Sequence, residues 1–399
     1  MSDHPVPGSV CDTRGSTSVT ELESALQTLS VTGDDDTTRI LSEHPRIVLA
    51  DSRLKGSPCF LYLPPGKNEF VLVDYLKSLR TVASWPVWNQ PAPSPPSDPE
   101  SCSYRIDMAF DKGLGMYATR ALKAGELIVE ERPVYAMRRQ IIRGEDQTHE
   151  NGIFHRNAVR GLCPKSRAAL MSLKNSYPPD VHVVPGTLCT NYLQLDITPE
   201  PDVMNEFVGC FPVLSRANHA CSPNANYYFS FPSFTGQFWA MRDIAKDEEI
   251  TIGYCRLIAP RRQRQADLRD RFFFTCTCST CLLSGEQLAQ SDERRTKLEK
   301  LLTTLETNSM PKFSSPTGAL QLLEKALGWA QQEKLAVHQA QILFYGSNAL
   351  TVQGTSPDVV LDWMKRAREL FKDTEGERSY NVRRLDDSIQ FAERMLYRR

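Results

Sequence analysis

No stretch of this 399-residue chain approaches the run of about 18 apolar residues that a membrane-spanning helix requires, so no membrane partner is expected. The start, Met1-Ser2-Asp3-His4-Pro5, is polar and lacks the apolar core of a secretory signal. A soluble protein of the nucleus or cytoplasm is the expectation. Charge of one sign is missing too: 47 basic residues face 48 acidic ones. A broad basic surface of the kind that holds nucleic acid is therefore absent, and direct nucleic-acid binding is not expected. The eleven cysteines are an odd number, and three of them fall within six positions. That pattern speaks against a disulfide framework and for a metal site among otherwise reduced thiols. Core material is plentiful, at 41% apolar and 9% aromatic residues, over a length that suits one principal domain with flanking units.

Local pattern divides the chain. Residues 1–88 read as a small α+β region of their own. Met1 to Thr17 is rich in Gly, Pro, Ser and Thr and reads as disordered. Leu22, Ala25, Leu26 and Leu29 share one face of a short helix over Val19 to Leu29, and Arg46 to Ala50 and Cys59 to Leu63 read as strands. The prolines of residues 89–100 break regular structure, because proline lacks a backbone donor and locks φ; a semi-extended linker and a domain boundary belong there.

From Ser101 to about Cys281 short β-rich runs alternate with turns: Glu126 to Glu130, Tyr227 to Phe231, Gln237 to Met241 and Glu249 to Ile252. A helical insert is expected at about 152–191, strongest over Ser166 to Lys174. Residues 284–399 switch to apolar spacings of three and four in five segments, which predicts a helical bundle, and they carry no tetratricopeptide repeat signature.

Five motifs carry chemistry. Gly113-Leu114-Gly115-Met116-Tyr117-Ala118 is a glycine pattern that serves a tight turn, a dinucleotide site or close backbone approach to another ligand. The lack of a following helix and of an acidic residue on a second strand sets the dinucleotide fold aside. Asn218-His219-Ala220-Cys221-Ser222-Pro223-Asn224 could be a satisfied polar pair beside a packing cysteine, and Tyr254, closing Glu249-Ile250-Thr251-Ile252-Gly253, an ordinary aromatic at a strand end. Cys276-x-Cys278-x-x-Cys281 brings together three thiolates, which suits tetrahedral zinc; a structural site needs a fourth ligand from elsewhere. Arg261-x-x-Arg264-Gln265-x-x-Leu268 reads as a helix with a solvated charged face.

In order and spacing these segments resemble the SET-domain protein-lysine methyltransferases, in particular the SET and MYND branch and related fungal SET proteins. The resemblance implies a mainly β SET domain over 101–270 with a pseudoknot, a zinc-bound post-SET tail at 271–283 and a helical C-terminal domain. It implies an S-adenosylmethionine cleft formed by Gly113, Leu114, Gly115, Asn218, His219 and Tyr254 and lidded by Phe274, while Phe272 and Phe273 are read as packing residues. Zinc would be held by Cys221, Cys276, Cys278 and Cys281, with Cys255 the alternative fourth ligand. Tyr254 would be the catalytic residue, orienting the lysine nitrogen and the methyl group. The expected partner is a protein presenting a lysine, and the expected state a monomer. Two departures stand out: Ala220 replaces the family's serine, and Ala136 to Leu188 contains only Cys163, too few thiolates for a MYND finger. A different reading keeps the SET fold but makes the chain act on a small molecule or serve as a non-methylating scaffold.

Overall fold

The structure, a computed structural model, describes residues 47–49, 59–64, 66–74, 79, 82–93, 101–110, 112–142, 149–179, 181–196, 207–307 and 315–396. The disorder expected for 1–17, the helix expected over 19–29 and most of the linker lie outside these residues.

Thirteen described strands run in chain order: β1 (Ile47–Leu49), β2 (Cys59–Leu63), β3 (Phe70–Asp74), β4 (Tyr104–Ala109), β5 (Gly113–Ala118), β6 (Leu127–Glu131), β7 (Tyr135–Arg138), β8 (Tyr192–Leu195), β9 (Phe207–Cys210), β10 (Asn218–His219), β11 (Ala225–Ser230), β12 (Thr235–Ala240) and β13 (Glu249–Ile252). They form a six-stranded sheet in the order β1-β2-β3-β7-β9-β8, a four-stranded sheet β10-β13-β5-β4 and a three-stranded sheet β11-β12-β6.

The N-terminal strands do not stand apart as the composition suggested. β3 pairs in parallel with β7, placing Val71 opposite Tyr135 and Val73 opposite Met137. Every residue of β3 is buried because the strand is covered on both faces. Phe70 and Leu72 point into the main core with Met116, Ile250 and Ile252. Val71 and Val73 point into a second core with Leu170, Leu188 and Cys210. A continuous apolar run of this kind marks a doubly covered strand. Trp85 and Trp88 add to the seam, with Trp88 stacked 5.6 Å from Phe70 and edge-to-face with Phe234 at 4.8 Å. Asn89 closes a 3-10 helix, Pro86–Asn89, and Arg132 donates to the carbonyls of Val87 and Gln90 at 3.1 and 3.0 Å, so the start of the expected linker is tied to the core.

The insert is helical, as expected: α1 (His149–Arg160), α2 (Pro164–Met171) and α3 (Val183–Asn191) cover the β3 face that carries Val71 and Val73. Helix α4 (Arg261–Phe272) follows the β core, and the boundary expected between 270 and 271 falls inside it. The C-terminal segments form α5 (Gly285–Glu306), α6 (Pro316–Gln332), α7 (Ala336–Val352), α8 (Pro357–Glu375) and α9 (Tyr380–Leu396), each packed on the next along the chain. Among the described residues no helix is long and apolar enough to cross a membrane.

The helices are docked on the β core through specific polar groups. Asn226 Nδ2 donates to the Thr374 carbonyl at 2.8 Å, and the Tyr380 amide to Tyr228 Oη at 3.2 Å. The fully buried Arg295 of α5 donates to the Cys221 carbonyl at 3.1 Å, to Ser222 Oγ at 3.1 Å and to the Leu257 carbonyl, and pairs with Glu333 at 2.8 Å. A buried guanidinium with a carboxylate partner and three oxygen acceptors is a satisfied ion, and removing either partner would strand a charge.

One connection positions the site. β10 lies parallel to β13, Asn218 opposite Thr251 and His219 opposite Ile252. Asn224, 2% exposed, clamps the same strand: its Oδ1 accepts from the Thr251 amide at 2.8 Å, and its Nδ2 donates to the Glu249 carbonyl at 2.9 Å and to Glu248 Oε1 at 3.0 Å. Asn224→Ala leaves buried backbone groups without partners, and each such group costs about 1–3 kcal/mol. A loss of about 3 kcal/mol in denaturant unfolding is expected; a change below about 1 kcal/mol would show that the clamp is dispensable.

Candidate active site and cysteine cluster

The site forms where β5, β10 and β13 meet. β13 pairs with β5, bringing Glu249 opposite Tyr117. Glu249 Oε1 accepts from Asn218 Nδ2 at 2.9 Å and its Oε2 from Lys112 Nζ at 2.7 Å, while the same Asn218 amide donates to the Leu114 carbonyl at 3.2 Å. Gly115 permits this approach: a Cβ there would lie 2.9 Å from Asn218 Nδ2 and 3.1 Å from Glu249 Oε1. The expected close contact is thus with Asn218 and Glu249. Gly113, at φ +85, has open space beyond its α-carbon, and Leu114 is 42% exposed, so this end of β5 offers backbone to an incoming ligand.

His219 and Tyr254 meet through the parallel pairing. The Tyr254 amide donates to His219 Nδ1 at 3.0 Å, which places the proton of a neutral ring on Nε2 and directs it at Cys221 Sγ, 3.3 Å away. The His219 ring therefore faces the cysteine cluster and bridges it to Tyr254. Tyr254 Oη donates to the Ala217 carbonyl at 2.5 Å. Burial, reinforced by the Glu249 carboxylate, pushes its pKa well above the usual tyrosine value, so the hydroxyl stays protonated at neutral pH.

Tyr254 borders a cavity of about 360 Å3 whose lining includes Tyr227, Ala217, Leu214, Ile252 and Phe272. Two of these escaped sequence reasoning. Phe272, taken there as packing, stacks 5.0 Å from Tyr254 and forms a wall. Tyr227 Oη donates to the Gln194 carbonyl at 2.7 Å. A strand run of two adjacent tyrosines was the available signal for the second; nothing in the sequence distinguished Phe272 from Phe273. Phe273 sits at φ 59, 49% exposed, against Tyr177 at 5.1 Å. Phe274 is half-buried beside the cysteines, 6.3 Å from the His219 ring.

Cys221, Cys276, Cys278 and Cys281 converge, with their sulfurs all within 4.8 Å of one another and those of Cys221 and Cys281 3.4 Å apart. None is in a disulfide. Cys255 lies outside this group, its sulfur 4.0 Å from His219 Nε2. One face of α4 holds the tail in place. Gln265 donates to the Cys276 carbonyl at 2.7 Å and accepts its amide at 3.0 Å, and Arg261 donates to the carbonyls of Cys281 and Leu283 at 3.2 and 3.0 Å. Leu268 packs among the cysteines and Arg264 is fully buried. The charged face expected to be solvated is half interior, because positions three, four and seven apart on a helix share one side.

Fold and site together define a β-rich domain with a tyrosine-lined cavity beside a cluster of four cysteines. Residues 113–255 match the family described as the SET domain. Those residues form a SET domain. It is similar to "Histone-lysine N-methyltransferase set5" of Schizosaccharomyces pombe, 28% identical over 233 residues, which are 58% of this chain and 66% of that protein. It is also similar to "N-lysine methyltransferase SMYD2-B" of Danio rerio, 28% identical over 140 residues and 32% of each chain. "Histone-lysine N-methyltransferase SMYD3" of Homo sapiens is 33% identical over 104 residues, 24% of each chain. The matched stretches thus span less than two thirds of these relatives' own lengths.

Proposed function

We propose that this chain is an S-adenosylmethionine-dependent protein-lysine N-methyltransferase. The observation that supports it most is the arrangement around Tyr254: a protonated hydroxyl held by the Ala217 carbonyl at the edge of an aromatic-lined cavity, next to the Gly113–Asn218 end of β5 and β10. The parallel pairing of β10 with β13 is read as the crossing of the family's pseudoknot.

The residues present fit the cofactor: accessible backbone at Gly113 and Leu114, the Asn218 amide beside it, and a half-buried Phe274 as a cover. When bound, S-adenosylmethionine would supply an electrophilic methyl group on a sulfonium. The chain's own work is to present a neutral amine in line with it. A lysine free in water has a pKa of about 10.4, so the cavity must strip its proton. Tyr254, Tyr227 and Phe272 exclude water and disfavour the ammonium form. Because Tyr254 is itself protonated, it orients the nitrogen through its oxygen and does not act as a base. A second cavity, of about 440 Å3, lies at the seam with the helical region and shares Tyr227, Ile252, Gly253 and Cys255 with the first, which suits approach of a protein segment.

We further infer a structural zinc ion at the four cysteines. A tetrahedral ion with Zn–S near 2.3 Å separates its sulfurs by about 3.8 Å, a spacing that the cluster accommodates with small shifts.

Incubation with methyl-labelled cofactor and both protein and small-metabolite fractions tests the activity. Label on lysine side chains is expected; label only in small molecules would transfer the chain to the small-molecule reading. Gly115→Val tests the cleft. The new side chain would push Asn218 off Glu249 and Leu114, and a drop in calorimetric cofactor affinity of more than about tenfold is expected. Parental affinity would remove this end of β5 from the cofactor site.

A further inference from the structure

The Arg261–Phe272 helix carries a buried charge outside the Tyr254 cavity. Arg264 is 0% exposed. Its Nη1 donates to the Ala259 carbonyl, whereas Nε and Nη2, both buried, have no hydrogen-bond partner. Guanidinium does not deprotonate in proteins, so burial leaves a full positive charge with two idle donors in the interior. Such a charge persists only where an anion compensates it.

The buried carboxylate of Glu333 is already occupied. Glu333 is engaged by Arg294 at 2.7 Å, Arg295 at 2.8 Å and Ser291 at 2.7 Å. Arg295, the other fully buried arginine, reaches Cys221 only at its carbonyl and is neutralised by Glu333. What faces Arg264 is sulfur: the groups that favour its charge are Cys221 and Cys281. Leu268, one turn further along the same face, packs against Cys221, Cys276 and Cys281, which fixes that face toward the cluster.

A Zn2+ ion with four thiolates carries a net charge of 2−, and in a buried site this charge must be offset by donors around the sulfurs. We propose that Arg264 is the fixed counter-charge of the metal centre: with the four sulfurs ionised on the metal, its idle Nε and Nη2 would donate to those of Cys221 and Cys281 and so hold the ion in place. The assignment rests on the zinc reading of the four cysteines. Arg264 touches neither substrate nor cofactor and acts as a positioning residue for the ligands. Lysine would keep the charge but cannot serve two sulfurs through one planar fork.

The test uses the full chain with zinc measured per molecule by mass spectrometry and zinc release followed in excess chelator. The parent is expected to hold one zinc; a parent without it overturns both the zinc reading and this proposal. Arg264→Met is expected to release zinc at least about tenfold faster, and Arg264→Lys at an intermediate rate. In the cobalt-substituted proteins the sulfur-to-metal charge-transfer band should move to longer wavelength in Arg264→Met, because sulfurs relieved of donors give up electrons more readily. A merely structural arginine would not move that band. A zinc-loaded parent beside an Arg264→Met protein with parental release and an unshifted band overturns the proposal while leaving the zinc reading intact. If Arg264→Met does not fold, Arg264→Lys decides: faster release supports the proposal and the parental rate refutes it.

Discussion

Tyr254→Phe is expected to lower methyl transfer by about a hundredfold or more while leaving cofactor affinity unchanged. The substitution removes one oxygen from the cavity edge and keeps the ring that packs on Phe272 and His219. The lost hydroxyl is held by the Ala217 carbonyl, so its direction is set before any substrate arrives. Preorganised contacts of this kind act mainly in the transition state, and removing one typically costs about 2–4 kcal/mol. Single-turnover rates together with calorimetry separate the two effects. Equal turnover in both forms would make Tyr254 a packing residue and end the mechanism proposed here.

Cys221→Ala is expected to cost the most structurally. The residue is fully buried and belongs to three systems at once. Its sulfur lies with those of Cys276, Cys278 and Cys281, and it receives the His219 Nε2 proton at 3.3 Å. Its carbonyl accepts Arg295 of the docked helices at 3.1 Å. With three ligands left, zinc binding should fall by orders of magnitude. Structural zinc contributes about 10–16 kcal/mol where it is the whole core; here the β core remains, and a loss of several kcal/mol is expected. The tail from Phe272 to Leu283 should show faster amide exchange, and methyl transfer should fall because Phe272 and the His219 bridge to Tyr254 are released together. Chelation of the parent should reproduce these changes. A zinc-free variant with parental melting temperature and slow exchange in the tail would show that the cluster does not organise the site.

Much of this was legible in the chain itself. The β13 strand, Glu249–Ile252, was read with its observed ends, and the five helical segments read after residue 284 match the five helices described there. Local rules suffice for these, since apolar spacing and turn residues are short-range signals. Cysteine spacing announced a metal-type cluster, and motif resemblance supplied Cys221 as the fourth member, which the converging sulfurs support.

The sequence by itself determined element types, the order of the motifs and the chemistry available at Tyr254 and the four cysteines, because these depend on residue identity and near neighbours. Only the tertiary structure decided which distant groups met. The Phe70–Asp74 strand found its parallel partner some sixty residues away, making a seemingly separate N-terminal unit part of the central sheet. His219 directed its ring to Cys221 and the Tyr254 amide. Arg264, on a helix face that reads as solvent-facing, was buried on the side that packs against the cysteine cluster. Each of these outcomes depends on desolvation and on partners set by chain topology, and neither is encoded within one helical turn or one strand.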